Sequence, residues 1–553
     1  MSRLAGTGAI FRGKTLKTQG MQHQLAGLRK SNGRHYFAYF LEMGCGKTWL
    51  ALADAERLYA SNEIDAIFVL APKGVHTNWV RREIPTHVDA PVIARAWKSG
   101  AGKRERKSIE EILQPRKIGE QPVLRILAMN IDAINTKEGF DFAASFLNAT
   151  KALFVLDESS RIKNIASGRT KNALKLRRLA AYVRILSGTP ITQAPTDVFS
   201  QFEFMHSGLL GTTSFRAFTA EYASLMDISG ALEKKAMLDV QQKLVDSLEQ
   251  AGLGSEASMA RYAAAMDKLT QIRASMTRDD YRVIAMHKRN PNIKFAQVVE
   301  KDASGAPSWR NLDKLTRLIE PHAYRVLKKD CLDLPDKIYK NAYFELSTKQ
   351  RQAYELMQEE ARIQLDDGDV LSVHELSVLV KLQQITSGYV KLPDGGLQYV
   401  EEDNPRLELL VDTLEDIDGK IIIWARFREE LRTIAKRLRE LEYNVVEYHG
   451  AIKTTDREIA VDSFQNGDAD IFLGQAQSGG IGLTLTAAET TIYYSNDFNN
   501  ETRLQSEDRN HRIGTKNNVV YIDLMATDTI DEKIASALQR KSKVASIILD
   551  GKS

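Results

Sequence analysis

The stretch Met43-Gly44-Cys45-Gly46-Lys47-Thr48, followed by the helical run Trp49 to Tyr59, decides the reading of this chain. Glycines let successive backbone N–H groups turn toward a phosphate, and the helix that follows adds the positive end of its dipole. Lys47 can then reach the β- and γ-phosphates of a nucleotide, and the Thr48 hydroxyl can ligate Mg²⁺. The full pattern asks for a glycine five residues before Gly46, and Leu41 stands there instead. Taken alone, the stretch competes with a chance turn. Cys45 reads as structural filler rather than a nucleophile.

Working outward, the first 210 residues or so alternate strands and helices. Ala66–Leu70, Leu124–Ala128, Leu153–Leu156 and Val183–Leu186 are short, aliphatic and bounded by turn or charged residues. Parallel strands covered on both faces look like this, and their ligands sit at the carboxyl ends. From about Thr212 the texture changes. Met259, Tyr262, Met266, Leu269, Ile272 and Met276 recur at helical steps, which predicts a helix packed by that stripe. The stretch from Arg289 to Arg310 reads as loop. A second α/β series follows, with strands predicted at 421–424, 444–446, 471–473, 491–494 and 519–522. The expected division is therefore 1–211 for a first lobe, 212–334 for a helical insertion, 335–390 for a helical connector and 391–553 for a second lobe.

Composition is compatible with this. The chain has 553 residues, 43% hydrophobic and 27% charged, enough apolar content for packed cores. Two cysteines, Cys45 and Cys331, exclude a disulfide framework or cysteine-rich zinc module. No apolar run approaches the roughly 18 residues of a membrane span, and the first twenty residues lack a signal peptide's apolar centre. A cytoplasmic protein with no membrane partner is expected. The 76 basic and 72 acidic residues nearly balance, so only the placement of charge bears on nucleic acid.

Two further elements carry chemistry. The strand Leu153–Leu156 runs into Asp157-Glu158, which puts a metal-holding carboxylate at the strand tip beside one able to orient water. The bland alternative is an acidic pair capping the next helix, which weakens because a loop that needs such a partner lies upstream. Far downstream lies Gln505-Ser506-Glu507-Asp508-Arg509-Asn510-His511-Arg512-Ile513-Gly514. Arg509 and Arg512 would be neighbours on a helix and could neutralise charge on a transferring phosphoryl group. A solvated helix face is the competing reading.

In this order the motifs resemble those of the Swi/Snf-type ATP-dependent DNA translocases, within the superfamily II helicases. Gln22-His23-Gln24 looks like the family's adenine-reading motif, and Asp157-Glu158-Ser159-Ser160-Arg161-Ile162-Lys163-Asn164 like its acidic box. Ala71-Pro72 with Asn78-Trp79 resembles a DNA-contacting motif, and Ser187-Gly188-Thr189 the one linking hydrolysis to lobe movement. Tyr448-His449-Gly450 with Arg457, Ser478-Gly479-Gly480-Ile481-Gly482-Leu483 and the Gln505–Gly514 run complete the set. The resemblance spans nearly the whole chain and suggests a minimal bacterial or phage form.

It implies two RecA-like parallel-sheet lobes, with ATP and Mg²⁺ between them. Gln24, Met43, Gly44, Cys45, Gly46, Lys47, Thr48 and Gly482 would bind nucleotide, and Thr48 and Asp157 the metal. Lys47, Asp157, Glu158, Gln505, Arg509 and Arg512 would be catalytic, and Ser187 and Thr189 would couple. Asn78, Trp79, Arg161, Lys163, Asn164, Gly450, Arg457, Ser478 and Gly479 would meet nucleic acid. Ser160 departs from the family's usual histidine, so that residue's coupling role is expected to be absent. The implied function is a monomeric motor on double-stranded DNA, branched or forked, in replication, recombination or repair. A strand-separating helicase and a non-catalytic DNA-binding scaffold with a relic nucleotide site are the alternatives.

Overall fold

The computed structural model describes residues 16–550 apart from 116, 119–120, 253, 290–294, 300–306, 367–370, 393, 401–403 and 478–482. In the first lobe seven strands form one parallel sheet: β1 (Tyr36–Leu41), β2 (Ala66–Ala71), β3 (Val92–Ala96), β4 (Leu124–Asn130), β5 (Ala152–Asp157), β6 (Tyr182–Leu186) and β7 (Ala323–Val326). Their spatial order is β7-β1-β6-β5-β2-β4-β3. The four aliphatic runs predicted from sequence are β2, β4, β5 and β6, and every residue of β2 and β5 is buried. Helix α1 (Lys47–Ala60) covers one face with Leu50, Leu52, Ala55 and Leu58.

The second lobe is a six-stranded parallel sheet: β8 (Lys337–Phe344), β9 (Lys420–Trp424), β10 (Val445–Tyr448), β11 (Ile471–Gly474), β12 (Ala488–Tyr493) and β13 (Val519–Ala526). The order is β8-β13-β12-β9-β11-β10. One core lies on each face, Leu410, Ile423, Leu431 and Leu473 on one side and Trp424, Phe464, Phe472 and Tyr521 on the other. Helices α2 (Asn500–Glu507) and α3 (Ile530–Asp550) complete the lobe. The α/β class with two parallel-sheet lobes is therefore observed directly.

The expected boundaries need correction at two edges. Residues 323–326, assigned to the helical insertion, are a strand of the first sheet, and 337–344, assigned to the connector, is a strand of the second. Neither has the aliphatic run of a doubly covered strand. β8 mixes lysines, an asparagine and tyrosines among its apolar residues and is largely exposed at the edge of the sheet.

Both lobes fall in one compact unit, residues 1–215, 312–345 and 406–553; residues 216–311 and 346–405 form another. In the latter, helices Ile228–Gln250 and Glu256–Ser275 meet through Val245, Ala265 and Leu269, with Tyr262 and Met266 against them. The helical stripe is thus core packing, although Met259 stays exposed. Phe295–Val299, inside the stretch read as loop, pairs antiparallel with Leu225–Asp227. The connector helices Thr348–Asp366 and Leu371–Thr386 belong to this second unit, as does the hairpin 389–399, which straddles the expected connector–lobe boundary at 390/391. Among the described residues no helix is long and apolar enough to cross a membrane.

Candidate nucleotide and nucleic-acid site

Strands β1, β6 and β5 are neighbours, so their carboxyl ends bring three separate motifs together. From β1 the chain enters the glycine loop, with Gly44 at φ 86° and Gly46 at φ 78°. Both angles lie in the left-handed region that glycine adopts without steric cost. A Cβ at Gly46 would also fall 1.9 Å from Gln24 Nε2. Gly46 precedes α1, whose first turn has no side-chain cap, so its N–H groups are open to an anion.

Gln24 is buried against this loop. Its Nε2 donates to the carbonyls of Cys45 and Gly46 at 3.5 and 3.4 Å, and its Oε1 accepts from Met21 N at 2.7 Å. Lys47 Nζ donates to Leu41 O at 3.1 Å, folding back over the loop. Cys45 is buried, 3.5 Å from Cys331 Sγ, and burial pushes its thiol far up, as expected of filler.

Asp157 ends β5, buried, and Glu158 follows at φ 52°, ψ 61°. Left-handed backbone at a non-glycine residue is strained and concentrates at functional sites. Asp157 Oδ1 accepts from Glu158 N at 3.0 Å and Oδ2 from Trp79 Nε1 at 2.9 Å. Burial first, and the Glu158 carboxylate second, push Asp157 up to about 6, while the Lys47 ammonium works the other way. A buried carboxylate disfavoured as an anion, with a lysine near it, suits a divalent cation held together with a polyphosphate. The Thr48 hydroxyl and Asp157 would hold Mg²⁺. Ser187 is buried at the end of β6, its Oγ accepting from Thr189 N at 3.1 Å.

The second lobe supplies the facing groups, but not on one helix. Gln505 lies on α2; Arg509 and Arg512 lie in the turn beyond it, contrary to the helical reading of their spacing. Arg509 is only 2% exposed, and its Nη2 is buried without a hydrogen-bond partner. Burial lowers its guanidinium to about 10. A buried guanidinium nitrogen left without a partner is costly and fits an anion. Arg512 Nη1 donates to Leu483 O at 3.2 Å; burial lowers its guanidinium, and Arg82 of the first lobe works in the same direction. A cavity of about 410 Å³ between the lobes is lined by Met43, Glu158, Thr189 and Gln505, among others.

Sequence reasoning missed the contacts that join these lobes. Ser160 Oγ donates to Glu501 Oε1 at 2.8 Å, and Gln505 Nε2 donates to the same oxygen at 3.2 Å. Ser160 therefore reaches the second lobe after all, through a carboxylate that burial raises. Lys328, which the motif reading did not single out, bonds Asp508 and the His511 carbonyl across the same junction. No local signal marks partners so far apart in sequence.

Among the expected nucleic-acid residues, Arg161, Lys163 and Asn164 line one polar groove of about 670 Å³ with Asn135, Arg169 and Asn499. Arg161 and Asn164 are exposed, and Lys163 Nζ donates to Thr192 Oγ1 at 2.5 Å. Arg177, further along the chain, donates to the carbonyls of Phe204 and Met205. The groove's lining does not include Asn78, Gly450 or Arg457. Asn78 is exposed and donates to Glu83 at 3.1 Å, Gly450 has open space around it, and Arg457 lies over the Tyr448 ring at 5.5 Å. Trp79 is corrected: it is 1% exposed and serves Asp157, so it is a support of the acidic pair rather than a nucleic-acid contact. Ser478, Gly479 and Gly482 lie outside the described residues.

Residues 39–257 match the SNF2-related domain and residues 405–514 the helicase conserved C-terminal domain. Over these two stretches the chain is similar to SNF2-related and helicase C-terminal domains. Among similar sequences, the ATP-dependent helicase FUN30 of Saccharomyces cerevisiae is 25% identical over 92% of this chain and 45% of its own length. The DNA excision repair protein ERCC-6-like of Bos taurus is 25% identical over 89% of the chain and 38% of its own. Protein CHROMATIN REMODELING 24 of Arabidopsis thaliana is 25% identical over 89% and 42%. The chain thus spans less than half the length of these relatives. A solved structure, the Sulfolobus solfataricus SWI2/SNF2 ATPase core in complex with dsDNA, aligns over 98% of this chain and 95% of that one, at 20% identity and a TM-score of 0.36. The two parallel sheets, rather than that superposition, carry the fold assignment.

Proposed function

We propose that this chain is an ATP-driven motor that moves along double-stranded DNA. The observation that carries the reading is Arg509: a buried cation with an unpartnered nitrogen, supplied by the lobe opposite the glycine loop and acidic pair. Phosphoryl transfer needs positioning and charge compensation more than covalent chemistry. Lys47 and the start of α1 would hold the phosphates, Glu158 would orient the attacking water, and Arg509 would offset charge on the transferring group. Mg²⁺, when bound, supplies charge neutralisation on the phosphate oxygens. Arg512, already bonded to a carbonyl, has the lesser share.

Arg161, Lys163 and Asn164, which line the groove, follow the Asp157-Glu158 pair closely in the chain, an arrangement that would tie a duplex surface to the hydrolysis site. Phosphate contacts of this kind give sequence-independent grip, as a motor on any sequence requires. Relatives named for helicase activity, excision repair and chromatin remodelling support a DNA-remodelling role. Branched or forked duplexes as the preferred substrate, a monomeric working form and a bacterial or phage setting are part of the proposal.

The test is ATP hydrolysis measured with duplex DNA, single-stranded DNA and RNA. Duplex DNA should stimulate turnover most. Stimulation by RNA alone would overturn the substrate, and absence of hydrolysis under every condition would favour a relic site.

A further inference from the structure

The chain crosses from the first sheet to the second through residues 327–336, which link β7 to β8. Lys328 stands at the start of this link, its side chain 7% exposed. Its backbone N donates to Glu42 Oε2 at 2.7 Å, and Glu42 O in turn accepts from Cys45 N at 3.2 Å within the glycine loop. Its Nζ points the other way and donates to Asp508 Oδ1 at 2.5 Å and His511 O at 2.7 Å. One residue therefore ties the flank of the phosphate loop to both ends of the segment 508–511, with Arg509 between them.

We propose that Lys328 is a positioning residue for ATP hydrolysis, setting the Asp508–His511 turn so that Arg509 faces the nucleotide loop. The inference rests on the motor reading above and names a part that the motifs do not assign. Asp508 is also 3.6 Å from Lys337 Nζ, so its carboxylate is held from two sides. The turn is further closed by Thr515 Oγ1, which donates to Asn510 O at 2.6 Å. A buried ion pair gains little net stability over apolar packing, and its best-attested use is to fix one geometry. Here the geometry fixed is that of a cation whose catalytic value depends on placement within about an ångström. Lys328 has no role as a catalytic residue in this account, because it acts through Asp508.

The experiment compares the full chain with Lys328→Met, Lys328→Arg, Asp508→Asn and the Lys328→Met/Asp508→Asn double variant, using ATPase kinetics at saturating duplex DNA and equilibrium binding of a fluorescent ATP analogue. Lys328→Met should lower kcat at least about tenfold while KM and analogue affinity change by less than about twofold. Asp508→Asn should do the same, and the double variant should be no worse than either single, because both break one link. Lys328→Arg, which keeps the charge, should recover most of kcat. If Lys328→Met fails to fold by thermal melting, the Arg and Asp508 variants decide: a charge-keeping variant as slow as Asp508→Asn overturns the proposal. Full kcat in folded Lys328→Met, or independent losses that multiply in the double variant, also overturn it. An unaltered chain that hydrolyses nothing sinks the motor reading and this inference together, whereas an active chain with unaffected variants sinks this inference alone.

Discussion

In the first lobe the phosphate-binding groups are fixed within a few residues of chain, by two left-handed glycines and a helix start. In the second, the turn carrying Arg509 and Arg512 is fixed by Lys328, Lys337 and Tyr339, which lie 168 to 180 residues upstream of their partners Glu507 and Asp508. The two halves of one site are thus built on opposite plans, one from local backbone conformation and one from long-range buried charge. A local device survives most distant changes. A long-range one ties the site to lobe position, which is what a motor that opens and closes its cleft would use.

The largest expected effect strikes the local half. Lys47→Ala should bring ATP turnover to background in a steady-state assay; near-normal turnover would break the comparison at its root. Arg509→Ala should follow, lowering kcat by about 10³ or more with analogue binding largely kept. Arg512→Ala should cost less, since Arg512 Nη1 has a carbonyl partner where Arg509 Nη2 has none. Equal losses would mean that the unpartnered nitrogen is not what matters.

A fourth prediction concerns the charge network behind the long-range half. Burial works against the Glu507 carboxylate, yet Lys337 and Arg503 outweigh it and hold the group at about 2. Since its value in the unfolded chain is about 4.3, this contributes about 3 kcal/mol. The sign follows from the depressed value: the contribution is full above the unfolded value and is lost as pH falls from about 4 toward 2. Glu507→Gln should therefore loosen residues 500–526 in hydrogen exchange at pH 7 and remove that part of the acid dependence. Unchanged exchange would show that the network does not hold the turn. The smallest effect is expected for Ser160→Ala, which removes one neutral donor to Glu501 worth about 1 kcal/mol. It should reduce duplex stimulation a few-fold while leaving turnover without DNA alone.

What could be read from the sequence divides along the same line. The buried strands β2, β4, β5 and β6, the glycine loop and the Asp157-Glu158 tip all announce themselves locally, through aliphatic runs and backbone-dictated residue types. Strands β7 and β8 did not, because edge strands carry polar and aromatic residues that mimic loop. Trp79 looked available because sequence does not reveal burial, and its indole turned out to be the donor to Asp157. The spacing of Arg509 and Arg512 makes them neighbours only if their segment is helical; α2 ends at Glu507, and no local pattern encodes the lysine that bonds the turn.

The central claim, movement along duplex DNA powered by this site, is tested most directly by triplex displacement. A third strand annealed on a duplex is released when a motor passes, without the duplex being opened. The unaltered chain should release it only with ATP and only with both duplex strands intact, and Lys47→Ala should release none. Separation of the duplex strands themselves, or no release despite duplex-stimulated hydrolysis, would contradict the account.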